Sequence, residues 1–211
     1  MCELSVKNLH VFRGERYLLK GLEFEVPRGV CLQVAGANGA GKTTLLRVMS
    51  GLLEPEALEL RWRGGRVSPR DPEYHATLFY LGHDPPLKDD FSAVENVAFN
   101  VGIRRSVSRS DVRAALERVG AQRFADLPVR TLSAGQRRRV ALAALRLSGT
   151  NLWLLDEPVT NLDLAGQSLV VSLIEEHLVH GGLVVAAIHQ DLGLSLSRRF
   201  SLNVGTGEGL P

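Results

Sequence analysis

Gly36-Ala37-Asn38-Gly39-Ala40-Gly41-Lys42-Thr43 fits the spacing GxxxxGK[ST], and its surroundings are those in which that spacing works. Val30 to Ala35 before it is an apolar, β-branched run that reads as a buried strand. Thr44 to Leu52 after it has helical spacing, with Gly51 placed to end the helix. Strand, glycine loop and helix in that order make a phosphate-binding loop. Gly36, Gly39 and Gly41 let the backbone curl so that its N–H groups surround a β-phosphate at the positive end of the helix. Lys42 would reach the β- and γ-phosphates, and the Thr43 hydroxyl would ligate Mg²⁺. The candidate nucleotide contacts are thus Gly36, Ala37, Asn38, Gly39, Ala40, Gly41, Lys42, Thr43 and Thr44.

Working outward, residues 3–11 and 18–26 alternate apolar and polar positions around a turn at Arg13-Gly14-Glu15, which predicts an antiparallel pair ahead of a parallel core. Phe12 closes the first of these strands, where its ring would either stack on adenine or serve as a core or turn aromatic; Tyr17 is the alternative. A short strand at 58–62, a polar segment and a strand at 77–81 lead into the Pro-rich loop Gly82-His83-Asp84-Pro85-Pro86. Ser92 with Glu95 makes a capping box for one helix, and a second helix is expected from Ser110. Together they predict a helical insertion in the strand and helix rhythm. Leu132-Ser133-Ala134-Gly135-Gln136 precedes an apolar helix over Val140 to Leu147, a second place suited to an anion.

Asn151 to Asp156 is a buried-strand run that ends in Asp156-Glu157, and Leu183 to Ile188 is another that ends at His189. In a parallel sheet the ligand crevice lies at the C-terminal strand ends, so these groups fall beside the phosphate loop. Phosphoryl transfer to water needs a phosphate cradle, a magnesium site, a base and a sensor of the γ-phosphate. Asp156 would hold Mg²⁺ beside Thr43, Glu157 would polarise the attacking water, and His189 would contact the γ-phosphate and the base. Pro158 to Asp163 turns into a helix near 166–179, and Phe200 to Val204 is the last expected strand.

Composition narrows the classes further. The chain has 211 residues with 25 basic and 23 acidic side chains and a net charge of +2, so nothing points to nucleic acid. Arg104-Arg105 and Arg137-Arg138-Arg139 read as solvated faces. Cys2 and Cys31 are the only cysteines, too few for a disulfide framework or metal quartet, which favours a reducing compartment. No run reaches the roughly 20 apolar residues of a membrane span, and Met1-Cys2-Glu3 does not open a signal peptide, so membrane association is expected through a partner.

In this order, Gly36 to Thr43, Leu132 to Gln136, Asp156-Glu157, Thr160 to Asp163 and His189 resemble the Walker A, signature, Walker B, D-loop and switch-histidine motifs of ABC-type ATPase domains. The resemblance covers essentially the whole chain, and the signature pentapeptide is its most specific part. It implies a P-loop α/β fold: a mostly parallel core sheet, an antiparallel N-terminal β subdomain and a helical insertion. One ABC ATPase domain would span 1–211, with its core at 1–85 and 131–211 and its helical subdomain at about 86–130. It implies ATP and Mg²⁺, and an ATP-dependent homodimer in which Ser133, Ala134, Gly135, Gln136 and Asp163 act in trans. His83 stands where the family usually has a magnesium-sensing Gln, making it a metal candidate, and Ala134 and Ala144 also depart from the usual residues. Within the family, Leu81-Gly82-His83, Leu152 to Pro158 and His189-Gln190 are similar to ATP-binding subunits of bacterial cytochrome c maturation. That implies integral membrane partners of CcmB or CcmC type, a place on the inner face of the cell membrane, and work on haem or a haem chaperone. The rival readings are the ATPase subunit of an ABC transporter for a lipid, peptide or metal complex, and a soluble mechanical ATPase or kinase.

Overall fold

The computed structural model describes residues 2–205, which form two compact units. The first holds residues up to Tyr80, then Thr150–Pro158, then the chain from Ile174 onward. Strand β1 (Cys2–Arg13) pairs antiparallel with β2 (Arg16–Pro27) and with β4 (Ala57–Trp62). β4 folds back on the short β5 (Gly65–Val67), giving a four-stranded sheet in the order β2-β1-β4-β5. The expected N-terminal pair is therefore present with longer strands, and it recruits a hairpin that the polar residues after Trp62 disguise.

A second sheet has the order β6-β7-β8-β3-β9, from β3 (Cys31–Ala35), β6 (Leu78–Leu81), β7 (Leu152–Asp156), β8 (Leu183–Ala187) and β9 (Arg199–Asn203). β3 runs parallel to β8 on one side and β9 on the other, and β7 runs parallel to β8. β7 and β8 are buried at every position, as a sheet covered on both faces requires. One core joins Leu4, Val6 and Leu9 of the antiparallel sheet to Leu32 and Val34 of β3 and to Leu45, Leu46 and Met49 of helix α1 (Lys42–Met49). Gly51 takes φ 73° just past α1, its N–H donating to the Val48 carbonyl while Leu52 N–H donates to Arg47, which satisfies the last carbonyls of the helix. A short helix α2 (Pro72–Thr77), started by Pro72, precedes β6.

The second unit comprises Leu81–Gly149 and Val159–Leu173. Helices α3 (Ala93–Gly102), α4 (Arg109–Arg118) and α5 (Ala134–Leu147) pack on one another, and Val94, Val97, Val112, Leu116, Val140 and Leu142 on them are buried. Ser92 and Glu95 form the expected capping box, and Ser108 with Asp111 forms another, so α4 begins one residue before Ser110. The hydroxyl and N–H of each serine hold the facing carboxyl below its usual range. Asn96, fully buried, accepts from Lys88 N–H and donates to the carbonyls of Lys88, Phe91 and Ser92 in the entry loop. The last helix, α6 (Leu164–Val179), starts two residues before the expected position.

α5 departs most from expectation. It starts at Ala134 rather than Val140, because Ser133 is its N-cap and accepts from Gln136 N–H, while Gln136 Oε1 accepts from Ser133 N–H. The apolar run marks only where the helix becomes buried. Arg138 is also not solvated: it is 3% exposed and donates to the Gly82 and His83 carbonyls at 2.7 and 3.3 Å.

Candidate functional site

β3 ends at Ala35, and Gly36 turns away at φ 147°, so close to its neighbours that a Cβ would stand 2.5 Å from the Val204 carbonyl oxygen. Gly41, at φ 108°, is the N-cap of α1; a Cβ there would meet Leu19 of β2 at 2.8 Å. Both positions are closed to any side chain. With no side-chain cap and no acidic residue in its first turn, α1 presents the N–H groups of Lys42, Thr43 and Thr44 to the loop, which is the standard chemistry for binding an anion. Lys42, 7% exposed, bends over the loop and donates to the carbonyls of Gly36 at 2.7 Å and Ala37 at 3.2 Å.

Asp156 ends β7 and is 2% exposed; its Oδ1 accepts from the Thr43 hydroxyl at 3.1 Å. A buried carboxylate joined to a helix-start hydroxyl is a hard-oxygen pair that suits Mg²⁺, which takes one or two protein oxygens and completes its shell from phosphates and water. Beside it, burial first and the Asp156 charge second push the Tyr80 phenol up, partly offset by the Arg47 guanidinium. One residue on, Glu157 has φ 49°, a left-handed conformation uncommon outside glycine and asparagine. Its N–H donates to the Ala187 carbonyl at the end of β8, which aims the side chain at His189: Nε2 of the imidazole donates to Oε1 at 2.6 Å. Lys42, Thr43, Glu157 and His189 meet in one cavity of about 580 Å³, lined also by Asn38, Gly39, Gly41 and Thr44. The arrangement can cradle phosphate, hold a divalent cation and polarise water.

The remaining sequence candidates stand as follows. Phe12 does not line the cavity; its ring is 46% exposed and meets Tyr17 edge-on at 5.2 Å. The lining on that side comes from Arg13, Arg16 and Leu18 instead. In a strand neighbouring side chains point to opposite faces, and this places Arg13 on the cavity and Phe12 off it. Ala37 and Ala40 join in a tight turn through Ala40 N–H to Ala37 O at 3.1 Å. In the second unit Ser133 and Ala134 are exposed, and a Cβ on Gly135 would lie 2.8 Å from the Asn161 carbonyl oxygen. The signature and the 160–163 turn therefore pack directly together. Asp163 Oδ1 accepts from Gly166 N–H at the start of α6 and from Arg139 at 3.3 Å. His83 is exposed in the same unit, with Arg138 on its carbonyl.

Sequence reasoning missed a latch behind His189. Gln33, 1% exposed in the middle of β3, donates to Asp191 Oδ1 at 3.3 Å and accepts from Leu192 N–H at 3.3 Å. Asp191 also accepts from Gly193 N–H at 2.9 Å and is paired with Arg199 of β9. A polar residue inside an otherwise apolar strand was the available signal.

A profile of the ABC transporter family matches residues 19–160. The chain is 44% identical to the cytochrome c biogenesis ATP-binding export protein CcmA of Methylococcus capsulatus, over 90% of this chain and 92% of that one. It is 47% identical to CcmA 2 of Cupriavidus metallidurans over 90% of each. Among solved structures it resembles an ABC transporter ATP-binding protein from Pyrococcus furiosus, with TM-score 0.82 at 24% identity, covering 96% of this chain and 97% of that chain. It also resembles an ATP-binding cassette of an ABC transporter in its ADP conformation, with TM-score 0.78 at 19% identity over 97% of this chain and 89% of the other. With the loop, the strand-end acids and the two-sheet core already in place, these likenesses establish that the chain belongs to the ABC transporter family, as an ATP-binding domain of that family.

Proposed function

We propose that this protein hydrolyses ATP as the motor subunit of an ABC export complex for cytochrome c biogenesis, handling haem or a haem chaperone. The observation that supports the chemistry is one cavity lined by Asn38, Gly39 and Gly41 to Thr44 of the loop together with the bonded pair Glu157 and His189, with the Thr43 hydroxyl bonded to Asp156. The likeness to CcmA proteins supports the biological role. ATP binds through the loop amides and Lys42, whose ammonium exchanges the Gly36 and Ala37 carbonyls for phosphate oxygens. Thr43 and Asp156 hold Mg²⁺, which, when bound, neutralises charge developing on the phosphates. Glu157 takes the proton of the attacking water, and His189 holds that carboxylate in position and donates toward the γ-phosphate.

The same reading makes the active form a homodimer, in which Ser133, Ala134, Gly135, Gln136 and Asp163 of one chain complete the site of the other. Membrane subunits of CcmB or CcmC type would anchor it at the cytoplasmic face, with residues 86–130, within the second unit, serving as the helical subdomain of a single ABC ATPase domain. No helix among the described residues is long and apolar enough to cross a membrane. Glu157→Gln tests the chemistry. ATPase turnover is expected to fall at least a hundredfold while ATP stays bound, and turnover within a few fold of wild type would remove Glu157 from the role of base.

A further inference from the structure

We propose that Asn38 is a site of spontaneous chemical modification: in the nucleotide-free chain its side-chain amide cyclises onto the Gly39 nitrogen and is lost, leaving an acid in the phosphate loop, and bound nucleotide blocks the reaction. The inactivation and the protection rest on the nucleotide reading of the cavity; the cyclisation does not. Asparagine is a chemically labile residue, and Asn38-Gly39 is the one Asn-Gly pair in the sequence. The other six asparagines each precede a leucine or a valine, whose branched side chains crowd the nitrogen that must attack. Cyclisation needs a side-chain amide that nothing holds, a following N–H without a partner and a peptide free to turn. The loop supplies all three. Residues 37–40 make a turn closed by Ala40 N–H donating to Ala37 O at 3.1 Å, with Gly39 in its third position at φ 78°. That bond uses the N–H of Ala40 and leaves the N–H of Gly39 outside the turn. Among the described residues neither the Asn38 side chain nor the Gly39 N–H has a hydrogen-bond partner, and both residues are exposed. A Cβ on Gly39 would meet nothing within 4 Å, so the peptide between the two turns without a clash.

The local field favours the step. Loss of the Gly39 amide proton to solvent creates a negative nitrogen beside the start of α1, which has no side-chain cap, and Arg13, Arg16 and Lys42 line the same cavity. The nitrogen bonds to Cγ of Asn38, the Cγ–Nδ2 bond breaks, and ammonia leaves with a proton from water, giving a five-membered imide. Water then opens the ring, at Cγ to give aspartate or at the backbone carbonyl to give isoaspartate. No oxidant or reductant enters, since the sum is amide plus water to acid plus ammonia. Either product sets a carboxylate among N–H groups that otherwise take phosphate, where it repels an incoming polyanion. A bound nucleotide occupies the same amides and holds the peptide still, so the substrate preserves the loop.

The test is peptide mass spectrometry of the full chain held at mildly alkaline pH, without nucleotide and with ATP in the presence of a metal chelator. Equilibrium ATP binding is measured alongside for wild type, Lys42→Ala, Asn38→Asp and Asn38→Ser. In the nucleotide-free chain Asn38 is expected to convert to the acid about tenfold or more faster than any other asparagine, part of it as isoaspartate, and ATP-binding capacity falls with the converted fraction. ATP slows the conversion about fivefold or more in wild type and has no such effect in Lys42→Ala. Asn38→Asp binds ATP about tenfold more weakly than wild type, and Asn38→Ser, which cannot cyclise, keeps its own starting capacity through the incubation. Conversion at Asn38 no faster than at the other six asparagines would overturn the modification. Wild-type ATP affinity in Asn38→Asp, or loss of capacity by Asn38→Ser as fast as by wild type, overturns the inactivation. A wild type that binds ATP without being protected by it overturns the shielding. A wild type that binds no ATP overturns the nucleotide reading instead, and the cyclisation then stands or falls on its rate alone.

Discussion

Glu157 sits at φ 49°, a conformation that costs a residue with a Cβ about 1 to 3 kcal/mol, and it does so one position after the buried Asp156. The left-handed turn sends two successive carboxylates in different directions, one onto the Thr43 hydroxyl and one onto His189. Gly36 and Gly41 are needed for the converse reason, since a side chain at either would strike Val204 or Leu19. Thr43→Ala removes the hydroxyl that bonds Asp156 and is expected to raise the Mg²⁺ concentration for half-maximal ATPase activity by about threefold or more. An unchanged Mg²⁺ requirement removes Thr43 from the metal site.

Elements carry the next level of control. β3 delivers the phosphate loop at its C-terminal end, and through Gln33 it also fixes the segment that follows β8. Ile188 is bonded to Val34, and the turn from Asp191 to Gly193 is bonded to Gln33 and Arg199, so His189 is held between two anchored points. Gln33→Leu keeps the volume but strands Asp191 and the Leu192 N–H, so kcat is expected to fall about tenfold or more with KM for ATP nearly unchanged. A rise in KM with kcat preserved would show that the latch serves binding instead. α5 shows why helix starts were misplaced in the sequence. Ser133 and Gln136 satisfy the first N–H groups of the helix before any buried apolar residue appears, so hydrophobic spacing alone starts it too late.

Across the whole molecule, the polar groups buried far from the cavity set the response to acid. His177 of α6 stacks on Trp153 of β7 at 3.8 Å and donates to the Asn151 carbonyl, and burial lowers its imidazole to about 4. Gly182 must be glycine for this packing, because a Cβ would lie 2.1 Å from the ring. In the unfolded chain the imidazole protonates near its ordinary pKa of about 6.5, so the unfolded state binds the extra proton first. Stability from this residue is complete above about pH 6.5 and is lost as pH falls toward 4, by a total on the order of 3 kcal/mol. Denaturant unfolding at pH 7 and pH 5 is expected to show a smaller loss for His177→Phe than for wild type; equal losses would contradict the assignment.

The sequence alone determined the glycine loop between β3 and α1, the two acids at the end of β7, the histidine just past β8 and the mixed α/β class. Each of these is a short run whose residues act near one another in the chain, and backbone geometry leaves local runs little choice. Only the tertiary structure decided that Arg13 and Arg16, rather than Phe12, line the cavity, that Gln33 anchors the chain beyond His189, and that Arg138 is buried under two loop carbonyls. These depend on which face a strand turns inward and on partners as far apart as Gln33 and Asp191. A single-residue change of strand register reverses the face, and a pairing across many residues is set by the packing of the sheet, not by spacing along the chain.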